Sequence, residues 1–439
     1  MPPQPMYLNS LCLASPHAWT ASGRPGYHGV GMAASNPRGA GTFAALAHPN
    51  YRLWFIGQMI SLFGTWMQSA AQGYLVFQLT RSPAYLGYVG FAAGIPVWLF
   101  TLFGGVLADR LPRRRLLILT QSYMMLPALV LAVLTFTGLV RPWHIVVLAF
   151  LLGAGNAFDA PARQAFVLEM VDRRTLGNAI ALNSALFNAA IAIGPALGGL
   201  AYAAFGPGWC FSLNALSFLA VIAALAAMRL APHRPAAGGS AVGELRQGIA
   251  YVSGHPRIRL LLGIVAVTSL FGMSFATLMP AWAVRILHGD ARANGLLLSA
   301  RGVGALASAL FLATISTRLS RGRVLAVGLA VFPAALLVFA FLRSLVPALA
   351  LLLVAGAGAI LIYNTANALV QTLADDSLRG RVMGLYSLCV LGLMPVGSLL
   401  AGTVAEHIRE PGTVMLGSAV MLAVALAVWV FFPGLRDLR

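Results

Sequence analysis

The sequence predicts an all-α membrane protein of twelve transmembrane helices, arranged as two pseudo-symmetric six-helix bundles. Three observations lead there: a chain nearly emptied of charge, a regular series of charge-free runs, and an internal repeat that divides those runs in two. Of 439 residues, 59% are hydrophobic and only 9% charged, against about a quarter charged in ordinary soluble domains. Such a composition cannot clothe a water-exposed surface. The net charge of +18 would suit a nucleic-acid binder, but all 29 basic residues are arginines that lie between apolar stretches rather than along one face. That distribution fits membrane orientation, so no nucleic-acid partner is expected. Cys12, Cys210 and Cys389 are far apart and odd in number. They read as free thiols, and neither a disulfide framework nor a metal site is expected.

A helix needs roughly 20 largely apolar residues to cross the hydrocarbon core. Runs without Asp, Glu, Lys or Arg cover 53–80, 82–108, 116–140, 142–158, 175–228, 260–284, 302–317, 324–342, 344–374, 382–405 and 411–435. The run 175–228 is too long for one crossing and contains Gly206-Pro207-Gly208, a turn that no helix continues through, so it holds two spans and the total is twelve. Strand-like alternation is absent, which makes the spans helices.

An even number of spans places both termini on one side. With the termini in the cytoplasm, only Arg81, Arg141, Arg285, Arg292, Arg343 and Arg409 fall outside and Arg301 falls within a span. The arginine bias therefore predicts a multi-pass protein of the cell (inner) membrane with cytoplasmic termini, in contact with membrane lipid. Residues 1–41 are rich in Pro, Gly, Ala and Ser, contain no acid and lack a signal-peptide pattern. A disordered extension is expected there, with Met32 as an alternative start.

The repeat is read from a constant shift. Ser61-Leu62-Phe63-Gly64 recurs identically as Ser269-Leu270-Phe271-Gly272, a shift of 208 residues. The same shift relates Gly87 and Gly94 to Gly295 and Gly302, and Arg110-Leu111-Pro112-Arg113 to Arg318-Leu319-Ser320-Arg321. The expected organisation is an extension over 1–41, a six-helix bundle over 42–229, a cytoplasmic linker over 230–257 and a second bundle over 258–439. Glu244, Arg246, Tyr251 and His255 lie on an amphipathic segment of the linker. Two parallel six-helix halves suit a transporter whose central site is exposed alternately by rocking.

Polar groups inside a membrane are costly and are functional candidates by default. Gln58, Ser61, Thr65, Gln68 and Gln72 form one helical stripe in the first span. They are expected to line a substrate cavity; hydrogen bonding between helices is the alternative. Asn156, Asp159 and Arg163 form a stripe in the fourth span, answered in the tenth by Asn364, Asn367 and Gln371. At 1.5 Å per residue, Asp159 would lie about 24 Å from the outer end of its span, close to the cytoplasm. An i, i+4 pair with Arg163 that belongs to a gate fits this depth better than a proton-coupling carboxylate, which stays open as the second reading. Arg301 lies about 12 Å from the outer start of its span with no acid nearby in sequence. It can hold an anionic substrate group, pair with an acid brought in by folding, or reach interfacial water.

Two motifs carry a resemblance. Gly105-Val106-Leu107-Ala108-Asp109-Arg110-Leu111-Pro112-Arg113-Arg114-Arg115 closes the second span and resembles the loop-2/3 signature of the major facilitator superfamily, with Pro112 where a second glycine is usual. In that family the signature serves gating, which assigns the role to Gly105, Asp109, Arg110, Arg113 and Arg114. Gly194-Pro195-Ala196-Leu197-Gly198-Gly199 in the fifth span resembles the superfamily's antiporter signature, carried here by Gly194, Pro195, Gly198 and Gly199. Close helix packing is its plainer reading. Gly64-Thr65-Trp66-Met67-Gln68, Leu79-Thr80-Arg81-Ser82-Pro83 and Asp159-Ala160-Pro161-Ala162-Arg163-Gln164 are similar to the branch that holds enterobactin-type siderophore exporters and multidrug efflux proteins.

The resemblance implies secondary export of small amphiphilic molecules such as drugs or siderophores, driven by the proton gradient, by a monomer without cofactor. An uptake carrier and a non-transporting membrane sensor are the alternatives. No GxxxxGK[ST] loop, HExxH or GxSxG is present, which argues against a built-in ATPase and against a membrane enzyme.

Overall fold

The computed structural model describes residues 41, 43–229, 241–315, 320–435 and 438. Of the expected extension only Gly41 is described; Cys12 and Met32 lie outside the described residues, as do 230–240 of the linker and Arg318 and Leu319 of the repeated loop.

The first half is α1 (Pro49–Thr80), α2 (Pro83–Arg110), α3 (Arg113–Phe136), α4 (Pro142–Phe166), α5 (Leu176–Phe205) and α6 (Pro207–Ala227). Four of these begin with proline, which has no amide hydrogen to leave unbonded in a first turn and presets φ. The turn expected at Gly206 is present: its φ of 86° separates α5 from α6. Helix α7 (Ala241–Gly254) is the amphipathic part of the linker.

In the second half one span is assembled from α8 (Pro256–Val267), a π-helical turn Thr268–Gly272, a 3₁₀ stretch Met273–Leu278 and α9 (Met279–Arg285). Next come α10 (Ala291–Ile315), α11 (Arg321–Phe339) and α12 (Leu345–Leu373). The chain ends in α13 (Arg379–Ser387), a second π turn Leu388–Gly392 and α14 (Leu393–Phe431). Helix α14 breaks at Arg409 (φ 63°, ψ 170°), just before Pro411, so it supplies two antiparallel arms.

Among the described residues ten segments are long and apolar enough to cross a membrane, including one of 53 residues, Arg379–Phe431, that the Arg409 break divides in two. The glutamine-bearing α1 is 32 residues long but too polar to be among the ten. Together they are consistent with twelve spans. The outer surface is apolar, as a lipid solvent requires: α3 exposes Leu119, Leu126, Leu129, Val130, Val133 and Phe136.

Within the first half α1 packs on α5 and α6, and α4 on α2 and α3; in the second, α12 packs on α10 and α11. The halves meet through two pairs, α5 with α10 and α2 with α14. We call the end that bears the start of α1, the α2–α3 turn and the linker the terminal end, and the end that bears the α1–α2 turn and the Arg409 break the far end.

Candidate functional site

At the terminal end the α2–α3 turn is made without a positive φ. Leu111 (φ −99°, ψ 152°) and Pro112 (φ −56°, ψ 113°) are both non-helical, and the Pro112 carbonyl accepts from the Arg115 and Leu116 amides at 2.9 and 3.1 Å. Proline in place of glycine therefore starts α3 at no steric cost. Arg113 holds this turn to the end of α4, donating to Glu169 Oε1 at 2.8 Å, and Arg114 donates to the Ala226 carbonyl of α6 at 2.8 Å. Asp109 is 47% exposed and lies 3.8 Å from Arg113. Arg110 is exposed, and a Cβ built on Gly105 would meet nothing within 4 Å. Every partner of this motif belongs to the first half.

Asp159 is 1% exposed and fully engaged. Thr120 Oγ1 and Gln121 Nε2 of α3 donate to its Oδ1 at 2.9 and 2.8 Å, and Arg163 Nε stands 3.6 Å from Oδ2. Arg163 in turn reaches Gln58 Oε1 of α1 at 3.4 Å. These contacts tie α1, α3 and α4 together around one buried carboxylate. Thr120 and Gln121 were not singled out in the sequence; the signal was an adjacent polar pair inside an apolar run.

The α1 stripe is packed rather than open. Asn214 Nδ2 of α6 donates to Gln68 Oε1 at 2.7 Å, Thr65 donates to the Ser61 carbonyl, and Gln68 donates to Gln72 Oε1 at 3.4 Å. Gln58, Ser61, Gln68 and Gln72 are all buried. Gly64 brings the helices together, since a Cβ there would stand 2.7 Å from Ser217 Oγ. In this conformation Gln68 is bonded to Asn214 of α6, Gln58 Oε1 accepts from Arg163, and Gln58 Nε2 is buried without a partner.

Open polar positions lie elsewhere. Asn156 and its repeat-mate Asn364 are exposed within their spans, and Asn367 is half-buried. Arg301 has no carboxylate partner among the described residues.

The second motif is a seam. A Cβ on Gly194 would lie 2.6 Å from Trp66 and one on Gly198 2.7 Å from the Met67 carbonyl, both in α1, whereas Gly199 abuts Ala291 and Arg292 of α10. The Pro195 carbonyl in turn leaves no room for a Cβ on Gly295. The Ala196 amide donates to Ser299 Oγ of α10 at 2.9 Å. This stretch therefore packs α5 against its own half and against the other one at once.

The remaining inter-half contacts lie on the same side of the molecule. A Cβ on Gly87 would lie 2.8 Å from the Ser398 carbonyl, and Gly94 abuts Pro395. At the far end Arg285 donates to Glu410 Oε1 at 3.0 Å and to the Arg81 carbonyl, with its guanidinium 5.2 Å above the Phe77 ring. Ser82 Oγ donates to Glu406 at 2.7 Å. The halves are sealed at the far end, and among the described residues no glycine contact joins them beyond Trp98 of α2 or before Ile191 of α5. Glu406, Glu410 and Arg285 escaped the sequence reading; their signal was two of only 11 acids flanking one turn between spans.

Residues 40–435 match the family described as transmembrane secretion effector. The chain belongs to this family, a branch of the major facilitator superfamily. Among relatives of the transmembrane secretion effector family, the chain is 30% identical to "Multidrug efflux pump Tap" of Mycolicibacterium fortuitum, over 83% of this chain and 91% of that one. It is 23% identical to "Staphyloferrin A transporter" of Staphylococcus aureus, over 81% and 89%. With "Enterobactin exporter EntS" of Citrobacter koseri the identity is 24%, over 89% and 94%. Solved structures share the fold: a peptide transporter POT mutant bound to sulfate superposes with a TM-score of 0.73 at 13% identity, over 91% of this chain and 99% of that one. Nucleoside transporter NupG gives 0.67 at 13%, over 87% and 99%. The secretion effector family and these relatives are transporters and not enzymes, and their substrates are small molecules.

Proposed function

We propose that this protein is a secondary exporter of small amphiphilic molecules, of the drug or siderophore kind named for its relatives, working by alternating access in exchange for protons. The observation that carries the reading is that inter-half contacts among the described residues run from the far end to mid-span, through Gly87, Gly199, Gly295 and the bonds from Arg285 to the Arg81 carbonyl and from Ser82 to Glu406, while at the other end Gly105 meets nothing and Asp109 pairs within its own half. A two-halved carrier closed at one end and parted at the other is in one of the two states that rocking interconverts. The arginine distribution supports a cytoplasmic position for the parted end and for both termini, which would give cytoplasmic substrate access from that end.

Export is tested in everted membrane vesicles loaded by respiration, with ethidium uptake and quenching of a pH-sensitive dye read together. Ethidium accumulation that dissipates the proton gradient is expected. Accumulation that persists after the gradient is collapsed with an uncoupler would remove proton coupling, and flux in the opposite direction would make the protein an uptake carrier.

A further inference from the structure

We propose that Arg301 is the anchor of an anion subsite in the second half, which takes a carboxylate of an amphiphilic organic substrate. The proposal rests on the transporter reading above and narrows its substrate class. Arg301 sits ten residues into α10, about 15 Å along a helix that crosses a core of about 30 Å. A charge at that depth is expensive unless a counter-charge meets it. Here the protein supplies none: no ion pair or hydrogen bond reaches the guanidinium, and its Nε is buried without a partner. Only Nε is sealed. The two terminal amines are not among the buried orphaned atoms, so they open onto accessible space.

The surroundings hold the side chain in place without neutralising it. A Cβ on Gly356 of α12 would collide with the Arg301 carbonyl, so the two backbones touch at this level. Tyr363 lies about two turns further along α12 from Gly356. Its hydroxyl is 2.9 Å from Ser269 Oγ, which lies in the first π turn, and its carbonyl accepts from Tyr386 at 2.8 Å, one residue before the α13 terminus that leads into the second π turn. Three spans of the second half, two of them locally distorted, are thus joined by hydrogen bonds on the helix whose backbone touches Arg301, and π turns of this kind recur at functional sites. A planar fork with free amines matches a carboxylate in two parallel bonds, which an ammonium would not do.

The experiment uses the full chain in phosphatidylcholine nanodiscs and the probe pair naphthoate and naphthamide, alike but for charge. Wild type should bind naphthoate about tenfold or more tighter, as a charge-assisted pair implies. R301Q should bring the ratio to about one, and R301K should retain part of it. Because the guanidinium has no protein partner, unliganded R301Q should melt no lower than wild type. A fall in that melting temperature would reveal a structural counter-ion and overturn the proposal. So would an unchanged ratio in R301Q, or, if R301Q fails to fold, an unchanged ratio in R301K. Loss of the wild-type preference when phosphatidylglycerol is added to the discs would make a lipid phosphate the occupant and also overturn it. Ethidium flux in vesicles separates the two readings: no flux from wild type with the naphthoate preference intact sinks transport and leaves the subsite standing.

Discussion

At the far end a Cβ added to Gly199 or Gly295 would strike backbone of the opposite half, and one on Gly87 would come within 2.8 Å of it; at the terminal end Gly105, Gly177 and Gly384 meet nothing within 4 Å. The charged groups differ in the same way. Arg285 and Glu406 bridge the halves at the far end, with Glu410 backing Arg285 from its own half, while Asp109 and Arg113 pair within the first half at the other. The same kinds of residue cross between the halves at one end and bond within the first half at the other. On the proposed alternating-access reading, their role is tied to a conformational state rather than to the stability of either bundle.

The largest effect is expected where the seam has no room. Gly295→Val places branched atoms against the Pro195 carbonyl and Gly199. Overpacking costs about 1–3 kcal/mol, charged here to the far-end-closed state alone, which shifts the balance between states roughly 5- to 150-fold. Maleimide labelling of a cysteine placed at Ala291, in a background lacking the native cysteines, should accelerate from the far side and ethidium export should fall. Unchanged labelling would mean that the seam does not close the far end.

Next is the far-end ion pair, which lies within the second half and holds Arg285 against the Arg81 carbonyl and Phe77 of the first. Glu410 is fully buried while the Arg285 side chain is 38% exposed, so breaking the pair should cost less than the 3–5 kcal/mol of a fully buried one, about 1–2 kcal/mol. Glu410→Gln keeps the shape and removes the charge. Far-side labelling at residue 291 should rise about 5- to 30-fold, and if it stays at the wild-type rate the pair is not a clasp.

How much of this was legible in the sequence follows from what a one-dimensional pattern can hold. Charge-free runs and the shift linking Ser61 to Ser269 are properties of the chain, and they carried the twelve-helix, two-halved fold. A stripe on a helix names a face but not what covers it. The stripe of α1 turned out to be covered by Asn214 and Ser217, themselves a polar pair at i, i+3 in the sixth span. Asp159 and Arg163 were legible as a pair because helical spacing alone joins them, whereas Thr120, Gln121 and Gln58 reach them only through tertiary packing. Arg285 and Glu410, 125 residues apart, carry no mutual signal at all.

Asp159→Asn should have a moderate effect, and on stability rather than coupling. Its Oδ1 can still accept from Thr120 and Gln121, but the amide turned toward Arg163 leaves that cation unpaired, at a cost of about 1–3 kcal/mol. A lower melting temperature with unchanged protons moved per ethidium is expected. If the stoichiometry changes while the fold survives, the carboxylate carries the proton and is not simply a tie between α3 and α4.

The smallest stability effect belongs to the motif that first suggested the superfamily. Asp109 is half-exposed and 3.8 Å from Arg113, which already holds Glu169 at 2.8 Å, so Asp109→Asn should cost at most about 0.5 kcal/mol in this conformation. Its melting temperature should match wild type. Transport is another matter if the terminal end closes in the second state as the far end closes in this one: Asp109 would then face the other half, and its loss would slow turnover without touching stability. The two readouts are expected to part company in Asp109→Asn and to move together in Asp159→Asn. If ethidium export by Asp109→Asn equals that of wild type, the terminal end has no latch at this position, and the likeness between the two ends stops at their glycines.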